Sequence, residues 1–264
     1  MNPGSLEACE YMSNTPMPAA RILRAYAVET KYAFLSMLRT PIILVLMLAL
    51  PILMYLLIGV GVVPNIGDTP NVAVMIFSGF LVFSVASPGF FGFGIGLAIE
   101  RQSGVLNLKR VQPMPAAACL LAKMITAMTS TGFIILLLIP FAILLGDVHL
   151  TASQIAGLVL ASMIGVLPFC SIGFLIATLV SGTAAPGVVN VFFFPMLYLS
   201  GMFFPLPEIL QLQVFIWPTF YLNQIFWYAA GLEPIVDIKI CVTILLGITV
   251  LCSGLAARRL ARKG

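Results

Sequence analysis

The sequence predicts an all-α integral membrane protein with six transmembrane helices and both termini in the cytoplasm. Of its 264 residues, 61% are hydrophobic and only 8% are charged, and the mean hydropathy is +1.12. A soluble domain carries about 25% charged residues, so a chain this apolar has to be solvated by lipid. Its length suits a handful of spans of about 20 residues with short loops, and we expect no separate soluble catalytic domain.

Two segments are predicted to precede the first span. Residues 1–18 are polar, lack the apolar core of a secretory signal, and form a flexible tail in this prediction. Residues 19–41 are predicted to form an amphipathic helix along the inner leaflet, because apolar side chains can share one side while charged ones stay in water. The apolar side consists of Ile22, Leu23, Tyr26, Phe34, Leu35 and Leu38.

Six apolar runs follow in a predicted membrane domain of residues 42–256. They cover residues 42–63, 71–99, 120–145, 154–180, 188–202 and 235–255. The second run contains Pro88 and glycines 89, 92, 94 and 96, which predict a kink or a close helix contact. Residues 203–231 are apolar but broken by prolines and rich in Trp and Tyr. They predict a re-entrant hairpin at the outer face, made of two short helices that meet near Trp217.

The distribution of charge predicts the orientation of these runs. Basic residues fall before the first run, within residues 100–115, and in a basic cytoplasmic tail at residues 257–264. The loops on the other side carry acids instead, namely Asp68, Asp147, Glu208 and Glu233, and one base, Lys239, lies near the outer end of the last run. Because positive residues stay on the cytoplasmic side, both termini are predicted to be inside, which requires an even number of spans.

The apolar runs carry almost no ionisable residue, and this bears on function. Carriers that use ion gradients usually need such residues at membrane depth. The sequence also lacks a Walker-type nucleotide motif, and its five cysteines are scattered without metal-ligand spacing. We therefore expect no catalytic, cofactor-binding or metal site, and no nucleic-acid partner, since topology explains the net charge of +4. A chain of this kind is expected to take its energy from a partner.

Residues 100–115 form the longest charged interruption between two apolar runs. Val105, Leu108 and Val111 recur at three-residue spacing, while charged and amide side chains fall between them. This pattern predicts a short amphipathic helix at the inner membrane surface that a cytoplasmic partner could bind.

At this loop the sequence resembles the ABC type-2 transporter permeases. The matching pattern is Glu100-Arg101-x-x-Gly104-x-Leu106, followed by Pro113-x-Pro115 and Leu120-Leu-Ala-Lys123. A second match follows the fifth run, at Leu199-Ser-Gly-Met-Phe-Phe-Pro205 and Ile216-Trp-Pro218-Thr-Phe. The resemblance covers essentially the whole chain.

The resemblance implies a permease subunit of an ATP-driven exporter in a bacterial-type inner membrane. Such a subunit is not itself an enzyme; ATP and Mg are held by two ATP-binding cassette ATPase subunits, and the permease pairs with a second permease chain, expected here as a homodimer among membrane lipids. The cargo would be hydrophobic or amphipathic, drug-like or lipid-like, and would move outward. The loop would be the coupling loop that docks into the ATPase, through Glu100, Arg101, Gly104, Leu106, Lys109 and Arg110.

Several alternatives stay open at this point. Glu100 and Arg101 can instead be a solvated pair at a helix end. Aromatic residues can line a translocation path or gate, or only pack and contact lipid: Phe90, Phe91, Phe193, Phe203, Phe204 and Trp217. The alternative functions are export of a lipid-linked polysaccharide, a gradient-driven carrier, and a membrane-embedded enzyme or assembly factor. Binding of an ATPase, or ion-dependent flux without ATP, would separate them.

Overall fold

The computed structural model describes residues 28, 31–32, 35, 49–61, 70–104, 116–146, 148–201 and 212–262. All regular structure in these residues is helical. The predicted tail, most of the predicted interfacial helix, residues 105–115 of the predicted coupling loop and residues 203–211 of the predicted hairpin lie outside the described residues.

The first two apolar runs form helices that include π-helical turns. Helix α1 is Ala49–Val60, and its second half, Tyr55–Val60, is π-helical. Helix α2 comprises an α-helix Pro70–Ser87, a π-helix Pro88–Ile95 and an α-helix Gly96–Gln102. Proline cannot donate to the backbone ladder, so a wider π-turn at Pro88 lets the helix continue without a break.

Helix α2 extends further than the sequence predicted. It runs to Gln102, so Glu100, Arg101 and Gln102 belong to its last turn and not to a loop. Gly104 follows with φ +77°, a left-handed conformation that glycine adopts without steric cost. The chain therefore leaves the helix at the glycine of the predicted coupling motif.

The next three helices lie close to their predicted positions. Helix α3 is Ala116–Leu145, α4 is Ala152–Leu179, and α5 is the shorter Ala185–Leu199. Helix α4 begins with a capping box: the Thr151 N–H donates to Gln154 Oε1 at 2.8 Å, and the Gln154 N–H donates to Thr151 Oγ1 at 3.5 Å. Two of the backbone donors that lack an intrahelical partner at this end of the helix are thereby satisfied.

The last part of the chain contains two short helical elements and one long helix. A 3₁₀ helix, Leu212–Ile216, is joined at Trp217 to helix α6, Pro218–Ala229. Two short helical elements thus adjoin at Trp217 and Pro218, and the re-entrant hairpin at the outer face stays a prediction. Helix α7 is Ile238–Arg262 and carries Arg258 and Arg259 as part of the helix.

Four of the described helices are long and apolar enough to cross a membrane. They are Val72–Gln102, Leu121–Leu145, Ala152–Leu179 and Ile238–Arg259. Helices α1 and α5 are apolar but shorter. The chain is thus an all-helical integral membrane protein, and the count of six spans stays a prediction.

Helices α2 and α4 pack closely because glycines line their contact. A Cβ at Gly89 would lie 2.8 Å from the backbone nitrogen of Cys170, and one at Gly94 would lie 3.0 Å from Gly173 Cα. Small residues let transmembrane backbones approach in this way. The close helix contact predicted from the second-run glycines is confirmed.

Helix α6 runs antiparallel along the first half of α4. A Cβ at Gly165, near the middle of α4, would meet Leu222, while Gly157 lies beside Ala229. Beyond the helix end, Gln154 Nε2 donates to the Ala230 carbonyl at 2.8 Å. Helix α6 therefore starts beside the midpoint of α4 and ends beside its amino-terminal end.

Buried polar side chains fasten α6 to its neighbours. Thr219 Oγ1 donates to the Met196 carbonyl at 3.2 Å, and Trp227 Nε1 donates to Ser78 Oγ at 2.8 Å. The Ile235 N–H donates to Gln224 Oε1 at 2.7 Å. In a low-dielectric interior such bonds add to the packing of this short helix, in which residues 218–224 and Phe226 are buried.

Candidate functional site

The last turn of α2 carries an ion pair to α3. Lys123 Nζ lies 2.8 Å from Glu100 Oε1, with the lysine side chain 12% exposed and the glutamate side chain 30% exposed. The other carboxylate oxygen of Glu100, Oε2, is buried without a hydrogen-bond partner. The pair connects α2 to α3. Because the second carboxylate oxygen has no partner, the stability of the partly buried Glu100 carboxylate depends strongly on Lys123.

The next residue of α2 binds the end of α4. Arg101 Nη2 donates to the carbonyl of Val180 at 2.7 Å. Val180 is the residue that caps α4, and carbonyls at a helix carboxyl end lack intrahelical donors and carry partial negative charge. Arg101 therefore satisfies the end of α4 with a charge of the favourable sign.

The third residue of this turn binds the turn between α4 and α5. Gln102 Oε1 accepts a hydrogen bond from the Thr183 N–H at 3.0 Å. Gly182 packs against α2 so tightly that a Cβ there would lie 2.8 Å from Gln102 Oε1 and 3.0 Å from the Ala98 carbonyl. Only glycine fits this contact between the turn and the helix.

Three consecutive residues thus join α2 to three different elements. The interpretation of Glu100 and Arg101 as a solvated pair is wrong, because each of them binds another helix. Gly104 lies directly beyond this turn. Leu106, Lys109 and Arg110 lie outside the described residues, and the docking role of the whole predicted set stays a prediction.

The aromatic residues predicted to line a path separate into two groups. Phe193 is fully buried and contacts Phe83, Phe90 and Phe91, with ring centroids 5.6, 5.7 and 4.8 Å apart. Phe90 is buried as well, whereas Phe91 is half-buried. In a single chain, this cluster packs α5 against α2.

The structure shows less about the other three residues predicted to line a path. Trp217 is half-buried, and its Nε1 is buried without a hydrogen-bond partner. Phe203 and Phe204 lie outside the described residues. A role of these aromatic residues in a path or gate stays a prediction.

Sequence reasoning missed two parts of this site, Gln102 and the turn of residues 181–184. The turn is uncharged, so its composition alone does not indicate a contact. One signal could have identified it. The predicted topology places this turn and the end of the second run on the same side of the membrane, and Gly182 with Thr183 offers a close approach and a free N–H.

The described residues contain no group of three or more His, Cys, Asp and Glu side chains that could hold a metal ion.

A protein-family model described as "ABC-2 type transporter" matches residues 24–235, well over half of the chain. The matched region includes α1 to α6 and therefore Glu100, Lys123 and the turn of residues 181–184. No curated protein matches the chain.

Proposed function

The chain belongs to the ABC-2 type transporter family, and from this premise we propose that it is the permease subunit of an ATP-driven exporter. The family contributes the transmembrane component of ABC transporters, generally without an ATPase site of its own, and associates with ABC ATPases. The proposal adds efflux of a hydrophobic or amphipathic, drug-like or lipid-like substrate. In it, two separate ATPase subunits hold ATP and Mg.

The observation that carries the proposal is the junction at the last turn of α2. Glu100 binds α3, Arg101 binds the end of α4, and Gln102 binds the following turn. A force applied to the residues just beyond this turn would reach three elements at once. Packed helices respond to such a force as rigid bodies, which is how small movements at an effector site become movements of spans.

The charge distribution supports the proposed substrate class. In helices α1 to α7 the Asp, Glu, Lys and Arg residues all lie near helix ends. They are Glu100, Arg101, Lys123, Lys239, Arg258, Arg259 and Arg262. A charged ion pathway or proton relay needs such residues at membrane depth, whereas an apolar or amphipathic cargo does not.

The proposal includes a topology for the chain. Both termini lie in the cytoplasm of a bacterial-type cell, with six spans across the inner membrane. Because α6 begins beside the middle of α4 and ends beside its amino-terminal end, it would enter the bilayer from the outside and return. Two copies of the chain, as a homodimer, would enclose the path.

Co-purification of the full chain tests the partner. We expect an ATP-binding cassette protein to accompany the wild-type chain in mild detergent, and Glu100→Arg to lose it, because a second cation would face Lys123. Glu233→Arg is the matched control, since Glu233 is exposed and lies far along the chain. No capture by the wild type would overturn the proposal, and equal capture by both variants would overturn the role of Glu100 in docking.

Transport assays in proteoliposomes test the energy source and the cargo. The probes are a headgroup-labelled phospholipid and a fluorescent amphipathic dye. Movement of either probe that needs ATP and stops with vanadate supports the proposal. Movement driven by a proton gradient without ATP would establish a gradient-driven carrier instead, and ATP-dependent movement of a lipid-linked glycan alone would establish the polysaccharide exporter.

A further inference from the structure

We propose that Arg101 and Gln102 are positioning residues that fasten Val180 and the turn of residues 181–184 to α2, so that α2 and α5 move as one body. This inference rests on the proposed function. It concerns how a movement of the coupling loop reaches α5, a helix that is not adjacent to the loop in the sequence.

The first attachment lies at the end of α2. Gln102 Oε1 accepts from the Thr183 N–H at 3.0 Å, and Arg101 Nη2 donates to the Val180 carbonyl at 2.7 Å. The turn itself is closed by the N–H of Ala185, which donates to the Ser181 carbonyl at 2.9 Å. Ala185 is the first residue of α5. Through its bond to Ser181, a displacement of Gln102 is transmitted from the turn to the start of that helix.

The second attachment lies near the middle of α5. Phe193 packs on Phe83, Phe90 and Phe91 of α2, and α5 contacts the π-helical part of α2 more than it contacts α4. Residues 90 and 102 are separated by about three turns of helix α2. Two attachments at this separation hold the direction of α5 relative to α2, whereas one attachment would let it pivot.

Helix α5 needs this attachment because much of its surface contacts no other described residue. Val191, Phe194 and Tyr198 are 70%, 56% and 58% exposed. The exposed side would contact lipid, substrate or a second copy, and its direction would follow α2. Loss of the attachment at residues 181–184 leaves the aromatic cluster as a single pivot.

Two substitutions at Gln102 separate the hydrogen bond from the rest of the side chain. Gln102→Met keeps the length but removes the acceptor for the Thr183 N–H. Gln102→Glu keeps an acceptor oxygen at the same position and should restore the attachment. At the turn, Gly182→Ala places a Cβ 2.8 Å from Gln102 Oε1, and Gly187→Ala is its control because nothing lies within 4 Å of that Cβ.

The distance between two spin labels measures the position of α5 relative to the end of α2. The labels are placed at Ser103→Cys and Val191→Cys, both exposed, in the full-length chain with Cys9, Cys119 and Cys252 replaced by serine. The labelled chain is diluted with an excess of unlabelled chain, so that most dimers hold one labelled copy. We then expect one narrow distance, the same in the nucleotide-free complex and in the vanadate-trapped complex. We expect Gln102→Met and Gly182→Ala to broaden it, and Gln102→Glu and Gly187→Ala to preserve it.

The same variants are then compared for ATP hydrolysis and for movement of the labelled phospholipid or dye, whichever the wild type moves. A positioning role predicts that Gln102→Met keeps ATPase binding and hydrolysis but moves several-fold less probe per ATP, and that Gln102→Glu recovers it. An unchanged narrow distance in Gln102→Met, or a wild-type distance that differs between the two nucleotide states, would overturn the inference. If no ATPase binds the wild type, the proposed function fails, and the label distance in the chain alone still decides whether Gln102 fastens the turn.

Discussion

Replacing Gly173 with alanine should loosen the packing of α2 on α4. A Cβ at this position would lie 2.5 Å from the Gly89 carbonyl oxygen and 3.1 Å from Gly94 Cα, where ordinary contacts begin at 3.4 Å. Both neighbours are backbone atoms of a helix and cannot rotate aside. The two helices must therefore separate locally, and the flanking side chains lose part of their contact.

The expected size of the effect follows from comparison with Gly96→Ala. Both sites are helical, so both variants gain a similar helix propensity, about 1 kcal/mol for alanine over glycine. A Cβ at Gly96 would meet nothing within 4 Å, so that variant carries no packing strain. The difference between them is the cost of overpacking, about 1–3 kcal/mol. For a chain of this size it corresponds to a difference in Tm of about 2–12 °C.

Thermal unfolding in one detergent, followed by circular dichroism, measures this difference. Gly173→Ala should unfold at the lowest temperature, Gly96→Ala at or above the wild type, and Gly94→Ala between them, because its Cβ meets Gly173 Cα at 3.0 Å. An unfolding temperature of Gly173→Ala equal to that of Gly96→Ala would refute the close-packed contact.

The remaining predictions concern single polar bonds. Lys123→Met should destabilise the chain by about 1–3 kcal/mol, less than the loss of a fully buried pair because Glu100 is 30% exposed, and adding Glu100→Gln should recover part of the loss in denaturation experiments. Full additivity of the two substitutions would contradict the pairing. Gln224→Leu should cost about 1 kcal/mol and speed hydrogen exchange of the Ile235 amide, which donates to Gln224 Oε1 at 2.7 Å. An unaltered exchange rate at Ile235 would show that this bond does not hold the segment after α6.

Much of the fold could be predicted because it depends on local properties of the chain. The apolar runs predict helices in lipid, since each backbone group must be paired within its own segment. Pro88 and the glycines that follow it predicted a special contact in α2, and the structure places Gly89 and Gly94 against α4. Pro218 predicted the boundary at Trp217, because proline is favoured in the first turn of a helix.

The candidate site could be predicted only in part. The charge and motif around Glu100 located it, but the extent of α2 and the partners of its last turn were not predictable. Glu100, Arg101 and Gln102 bind groups that are 23, 79 and 81 residues away in sequence. No periodicity within a segment contains that information.

Composition, periodicity and motifs were therefore enough to predict a helical membrane protein of this family and to place the ends of α2 to α5 to within about four residues. They did not predict which side chains meet, which depends on tertiary packing. Phe192, Phe193 and Phe194 are identical in type, yet Phe193 is fully buried and its neighbours are 53% and 56% exposed. The physical reason is that apolar helices in lipid are hydrophobic on every side, so their rotation and neighbours are chosen by the packing of whole helices against one another.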